Sequence, residues 1–231
     1  MFYNRKITCP PEMHHAVERN AQLARAIGLQ VDPLEFPMAL TEAETARAME
    51  KLAPLEGQPF TAILPGTRWA SKQWPVANFA ELLDQLDGPS VLLGAPDETH
   101  LGEQIRQATS AQPLDLIGRT SLRELVAILS RAGRIVCCDS GPMHIAAALG
   151  RPLVALFGPT YAERTGPFSE AAVVLQRPLP CRPCRKRVCP LGHQDCLRQL
   201  SGALVAERVR EQLPLPASGE TAIDASPANP R

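Results

Sequence analysis

Residues 134–157 read RIVCCDSGPMHIAAALGRPLVALF: an apolar run at 134–138, a short helical pattern, and a second apolar run at 153–157. The first run is too short for a helix and does not alternate, as suits a strand buried on both faces. It stops at Asp139. Ser140 then belongs to the class favoured at N-caps, Gly141 lets a backbone approach a ligand, and Pro142 suits a first helical turn. A helix is expected over 142–149, closed by Gly150, and the second run follows as another strand. Strand, helix and strand in this order read as one unit of a parallel sheet with a right-handed crossover.

Working outward, the same alternation continues towards the N-terminus. Strands are expected at 60–64, 90–94 and 114–117, and helices at 76–86, 98–108 and 121–132. The last helix has Ser121 and Glu124 spaced as a capping box. Continuous apolar strands alternating with amphipathic helices predict an α/β fold, a Rossmann-like doubly wound parallel sheet. Two further helices are expected in front, over 14–27 and 41–52, joined by a Pro-punctuated connector at 33–37. Prolines and a glycine mark 53–59 as a linker. The expected organisation is therefore a helical piece at 1–52, the linker, a ligand-binding domain at 60–213, and a disordered tail at 214–231.

Of the 231 residues, 45% are hydrophobic, which is ample for a packed core. Lys plus Arg and Asp plus Glu number 24 each, and that balance argues against a nucleic-acid backbone as partner. Apolar stretches such as 153–157 fall far short of the roughly 20 residues that span a bilayer as a helix. No signal-peptide core follows Met1, so the sequence reads as cytoplasmic, with peripheral contact to a membrane surface left open.

In open parallel sheets, ligands bind outside the carboxyl ends of the strands. Three turns there carry unusual polar residues: 65–72, 139–144 and 158–160. The N–H groups of a helix beginning after Ser140 suit a phosphate, with His144 in the first turn able to face it. The plain alternative is a capped helix with a solvated histidine. Thr67 and Lys72 in the first turn offer a hydroxyl and a point charge for a diphosphate. Taken alone, this turn reads better as placing Lys72 on the surface before a helix. The glycine spacing matches neither a dinucleotide fingerprint nor a P-loop. Asp97 and Glu98 could hold ribose hydroxyls, or simply favour a helix N-terminus.

Taken together, these pieces resemble the heptosyltransferase family, which adds heptose to the lipopolysaccharide inner core. The matching text is Pro65-Gly66-Thr67 through Lys72-Gln73-Trp74-Pro75, then Gly118-Arg119-Thr120-Ser121-Leu122, then Asp139 through Gly150. Phe157-Gly158-Pro159-Thr160 and Arg164-Thr165-Gly166-Pro167 complete it. The likeness runs from about 60 to 210, and more faintly over 14–28. It implies the C-terminal half of a GT-B glycosyltransferase, with ADP-heptose as donor and the lipopolysaccharide inner core as acceptor. It also implies work at the inner face of the cytoplasmic membrane, inversion at the transferred carbon, and no required metal.

Carried over by position, Thr67 and Lys72 would contact the diphosphate, with Ser140 and Gly141 adding donors. Glu98 would hold the ribose, with Asp97 an equally good alignment, and the backbone around Thr120 would meet the adenine. Asp139 and His144 would lie near the transferred sugar. Lys72 and Asp139 are thus the catalytic candidates, stabilising the leaving group and the sugar. The family's acceptor site and catalytic Asp belong to a first domain, of which residues 1–52 read as the last piece. The alternative function is a catalytically silent nucleotide-sugar-binding module. A hydrolase using Ser140, His144 and Asp139 is a third reading, but Cys138 stands where a nucleophile elbow has glycine.

Cys181, Cys184, Cys189 and Cys196 cluster with His193. They could hold a structural zinc or form disulfides, although the spacing is not a standard zinc pattern. Arg182, Arg185, Lys186 and Arg187 make the same loop positive, towards a diphosphate or anionic lipid headgroups. Cys137 and Cys138 read as small buried hydrophobes.

Overall fold

A computed structural model describes residues 6–215; of the expected disordered tail, 216–231 lie outside the described residues. Two helices come first, α1 (Ala16–Ala26) and α2 (Glu42–Leu52). Strands and helices then alternate: β1 (Thr61–Leu64), α3 (Val76–Gln85), β2 (Ser90–Leu92), α4 (Thr99–Ala108), β3 (Leu114–Asp115), α5 (Leu122–Arg131), β4 (Arg134–Cys138), α6 (Gly141–Ala148) and β5 (Leu153–Phe157). After them come α7 (Ala162–Thr165), β6 (Ala172–Gln176), α8 (Asp195–Arg198) and α9 (Gly202–Gln212).

All six strands are parallel, in the order β3-β2-β1-β4-β5-β6. The chain builds outward from β1 through β2 to β3, then returns to place β4 on the other side of β1. That reversal puts the topological switch point, the usual ligand crevice of such sheets, between β1 and β4. Every residue of β1, β4 and β5 is buried, which is why these runs carry no alternation. Five of the strands coincide with the expected ones. The sixth, β6, is an edge strand only partly buried, and its short apolar run gives a weaker sequence signal.

Two layers of helices cover the sheet. On one face Ala48 and Leu52 of α2, Leu125 and Ile128 of α5, and Met143 and Ala146 of α6 pack together. On the other, Phe79 and Leu82 of α3, Ile105 of α4, and Val205 and Val209 of α9 surround the fully buried Trp74. The Trp74 indole N–H donates to the Leu200 carbonyl at 2.8 Å, and its ring meets Phe79 edge-on at 4.6 Å. Helix α9 was not expected from the sequence. It crosses α3 so closely that a Cβ on Gly202 would stand 2.4 Å from the Asn78 carbonyl oxygen.

Residues 42–55 pack on α5. Arg123 pairs with Glu44 at 2.8 Å, Lys51 lies 3.7 Å from Glu124, and Leu55 is buried in a 3-10 turn, Ala53–Leu55. Part of the stretch read as linker is therefore folded against the sheet domain.

At the amino-terminal ends of the central strands, opposite the crevice, Arg134 opens β4 and is fully buried. It donates to Thr61 Oγ1 at 2.9 Å, the Leu213 carbonyl at 3.2 Å and Asp87 Oδ1 at 2.5 Å. Arg134→Met should leave these acceptors unpaired and cost about 3 kcal/mol, or roughly 6–12 °C in Tm. Thermal melting followed by circular dichroism checks this, and an unchanged Tm would contradict it.

Candidate functional site

The strand order turns scattered sequence into a row. Crossing the carboxyl ends from β3 to β5, one meets Thr120, Glu98, Thr67 with Lys72, Asp139 to His144, and Thr160. At roughly 4.8 Å per strand, that row is about 19 Å long.

Its centre is an ion pair across the switch point. Lys72 Nζ lies 2.8 Å from Asp139 Oδ2, with both side chains largely covered (17% and 6% exposed). Thr160 Oγ1 donates to the same Oδ2 at 2.6 Å. Both donors therefore converge on one carboxylate oxygen. A 3-10 turn, Ala70–Lys72, carries the lysine, whose ammonium sits 4.7 Å from the centre of the Trp69 ring, within cation–π range. Thr67 Oγ1 donates to the Trp69 carbonyl at 2.9 Å, so its proton serves the turn and must be released to meet a phosphate oxygen.

Ser140 occupies the N-cap of α6, but its hydroxyl does not cap. Its Oγ is buried and is the only side-chain oxygen or nitrogen so placed without a partner among the described residues. An unbonded buried hydroxyl is uncommon and would be stabilised by a ligand acceptor. The helix start is also less rich in donors than expected. Pro142 has no N–H and Met143 N–H turns back to the Ser140 carbonyl at 3.2 Å, which leaves Gly141 N–H to face outward. An added Cβ on Gly141 meets nothing within 4 Å, so the space outside it is open. With Ser140 Oγ unbonded, no Ser–His hydrogen bond exists among the described residues, which counts against the hydrolase reading.

His144 keeps an exposed edge, yet crowding on its other side pushes its pKa down. His15 and Lys72 push the same way, and Asp139 opposes them. The participation of His15 was missed. Its Nδ1 accepts from Val17 N–H at 3.2 Å, its other ring nitrogen contacts the Gly166 carbonyl at 3.1 Å, and its ring lies 4.9 Å from Phe168. Histidine is not among the usual N-cap residues, so nothing local in the sequence marked it.

Glu98 is not the first residue of α4 but closes a 3-10 turn, Pro96–Glu98, ahead of it. Its carboxylate accepts from Ala95 N–H at 2.8 Å and folds over the ends of β1 and β2. A Cβ on Gly66 would fall 1.9 Å from that carboxyl carbon, so only glycine leaves room for it. Asp97 faces solvent, and of the two carboxylates Glu98 is the one turned to the strand ends. Gly118 N–H bonds the Gly94 carbonyl at 3.0 Å, which sets the turn before Thr120 against residues 95–99. Thr120 thus stands two strands from Lys72, at the far end of the row.

A family model described as glycosyltransferase family 9 (heptosyltransferase) matches residues 1–194. The chain belongs to this family. It is 33% identical to lipopolysaccharide heptosyltransferase 1 of Pseudomonas aeruginosa over 178 residues, covering 76% of this chain and 48% of that protein. Among solved structures, E. coli ADP-heptose lps heptosyltransferase II superposes with a TM-score of 0.67 at 29% identity, covering 81% of this chain and 56% of that one. E. coli heptosyltransferase WaaC with ADP gives a TM-score of 0.63 at 25% identity, over 91% and 60%. The chain spans about half the length of these relatives.

The four-cysteine loop of this family 9 chain lies between the turns after β1 and β5. All seven thiols are free, and among the described residues no three His, Cys, Asp or Glu side chains gather closely enough to share an ion. Hydrogen bonds fix the loop. Ser71 N–H and Oγ bond the Arg187 and Lys186 carbonyls at 3.0 and 2.5 Å, and Gln194 reaches the Ala70 and Gln73 carbonyls at 2.9 Å each. Arg185 N–H bonds the Pro159 carbonyl at 2.9 Å. The loop therefore ties the β1 turn to the β5 turn, and places the Arg187 guanidinium 5.9 Å from the Trp69 ring centre. Cys137 and Cys138 are buried in β4, and burial lifts the Cys138 thiol to about 12.

Proposed function

We propose that this chain carries the donor half of an inverting, metal-independent heptosyltransferase, which moves heptose from ADP-heptose to the lipopolysaccharide inner core. The observation that carries the reading is the Lys72–Asp139 pair at the β1/β4 switch point, beside the unbonded Ser140 hydroxyl. The matched E. coli structures, one named for ADP-heptose and one with ADP, support the choice of donor. On this reading residues 1–52 are the last piece of an acceptor-binding domain and 60–213 the donor domain. The enzyme works at the inner face of the cytoplasmic membrane; no helix among the described residues is long and apolar enough to cross one.

In the mechanism, the acceptor hydroxyl attacks the anomeric carbon as its bond to the diphosphate oxygen breaks. The hydroxyl proton passes to a base on the acceptor side. Negative charge grows on the departing ADP, where Lys72 and the Gly141 N–H oppose it. Before the donor arrives, Asp139 neutralises Lys72. The diphosphate takes over the ammonium, and Asp139, still held by Thr160, turns to a sugar hydroxyl. Glu98 holds the ribose, and the Thr120 turn holds the adenine.

ADP titration by calorimetry tests the donor reading, and no detectable binding would sink it. The silent-module alternative predicts equal ADP affinity but no consumption of ADP-heptose even when an acceptor-binding domain is supplied together with the acceptor. A pH prediction also follows. His144 is neutral at pH 7, and a bound diphosphate favours its protonated form. Protonation on binding means affinity for an ADP-sugar, whose diphosphate does not titrate near neutrality, should rise as pH falls from neutral towards the lowered His144 pKa. The rise should vanish in His144→Asn, and a flat wild-type profile would contradict it.

A further inference from the structure

A cavity of about 470 Å³ opens beside the donor row, beyond the end of β5, lined among others by Thr160, Tyr161, Glu163, Gln176, Leu179 and Arg182. One residue joins it to the site already described. Thr160 lines this cavity and also donates to Asp139. Its chemistry differs from that of the diphosphate cradle. Among the described residues the only cation in the wall, Arg182, is committed to the protein. It bonds the Gly158 carbonyl, the Arg177 carbonyl at 2.7 Å, Gln176 Oε1 at 3.0 Å and the Thr160 carbonyl at 3.4 Å.

What remains for a ligand is neutral or acidic. Glu163 offers a carboxylate, and Gln176, with its oxygen engaged by Arg182, has its NH₂ to donate. Tyr161 is 44% exposed and presents both a ring face and a hydroxyl. Three prolines, Pro178, Pro180 and Pro183, stiffen the wall. A carboxylate without a free cation disfavours phosphate. An aromatic face with hydroxyl-reading groups on a rigid wall suits a polyhydroxylated ring.

We propose that this cavity is a sugar subsite, taking a neutral ring through Tyr161, Glu163 and Gln176 next to Asp139. It rests on the donor reading and deepens it. The ring could be the sugar being transferred or a sugar of the acceptor, and the test separates them. Glu163→Gln and Tyr161→Ala both alter exposed residues, and circular dichroism verifies the fold.

Each variant and the wild type are titrated with ADP and with ADP-heptose, and probed with an inner-core oligosaccharide by saturation-transfer NMR. Loss of about tenfold in ADP-heptose affinity with ADP unchanged places the transferred ring in the cavity. Unchanged donor affinities with loss of the oligosaccharide signal place an acceptor ring there. If both variants keep donor affinities and oligosaccharide signal, the proposal is overturned. If ADP fails to bind even the wild type, the donor reading falls, and the oligosaccharide signal alone then decides the cavity.

Discussion

Lys72→Ala is expected to weaken ADP binding by about 10- to 150-fold, measured by calorimetry at constant ionic strength. A charge-assisted hydrogen bond in a sheltered site is worth about 1.5–3 kcal/mol, and each 1.4 kcal/mol is a factor of ten. Two features of the site push the loss upward. The ammonium is largely covered, so solvent screens it weakly, and its partner Asp139 is 6% exposed. Without Lys72, that carboxylate would face the diphosphate uncompensated. The double variant Lys72→Ala/Asp139→Asn should therefore bind ADP better than Lys72→Ala alone. Equal affinities in the single variant and the wild type would remove Lys72 from the diphosphate role. Equal affinities in the single and double variants would remove the repulsion argument.

Gly66→Ala should have the second largest effect, through a residue it does not itself contribute. The new methyl would lie 1.9 Å from the Glu98 carboxyl carbon. Because the clash is with the tip of a flexible side chain, the fold survives and the carboxylate moves. Glu98 then loses its place over the ends of β1 and β2, and with it the ribose hydroxyls. Affinity for ADP should fall about tenfold, while affinity for 2′-deoxy-ADP falls much less. Glu98→Ala should reproduce the pattern, and the double variant should be no worse than either single one, since both remove the same contact. Additive losses would mean that Gly66 acts by some route other than Glu98.

Much of the architecture was legible because β1, β2, β4 and β5 are buried on both faces, and continuous apolar runs between helix signals admit few other readings. The misses have different causes. Edge strand β6 owes its place to contact with β5, which no local pattern announces, whereas α9 carries a local signal, the Ser201 N-cap with apolar residues at 205, 206 and 209, that was overlooked. The residues of the row were readable as strand-end turns, but their grouping was not. The pairing of Lys72 with Asp139 spans 67 positions and follows from the sheet order alone. Thr160 was noticed as part of a turn, yet its bond to Asp139 needed the β4–β5 register to appear. Ser140 went the other way: residue type predicted a cap, and the fold left the hydroxyl unbonded. The four cysteines were legible as a cluster, but their spacing chose neither a metal nor disulfides; the bonds from Ser71 and Gln194 that hold the loop come from distant turns.

The central claim is that the turns after β1 and β4 form a diphosphate cradle. It is tested most directly by titrating the wild-type chain with adenosine and with ADP under one set of conditions. The account predicts that ADP binds about 100-fold more tightly than adenosine, and that Lys72→Ala removes most of that gain. Equal affinity for adenosine and ADP in the wild type would contradict it.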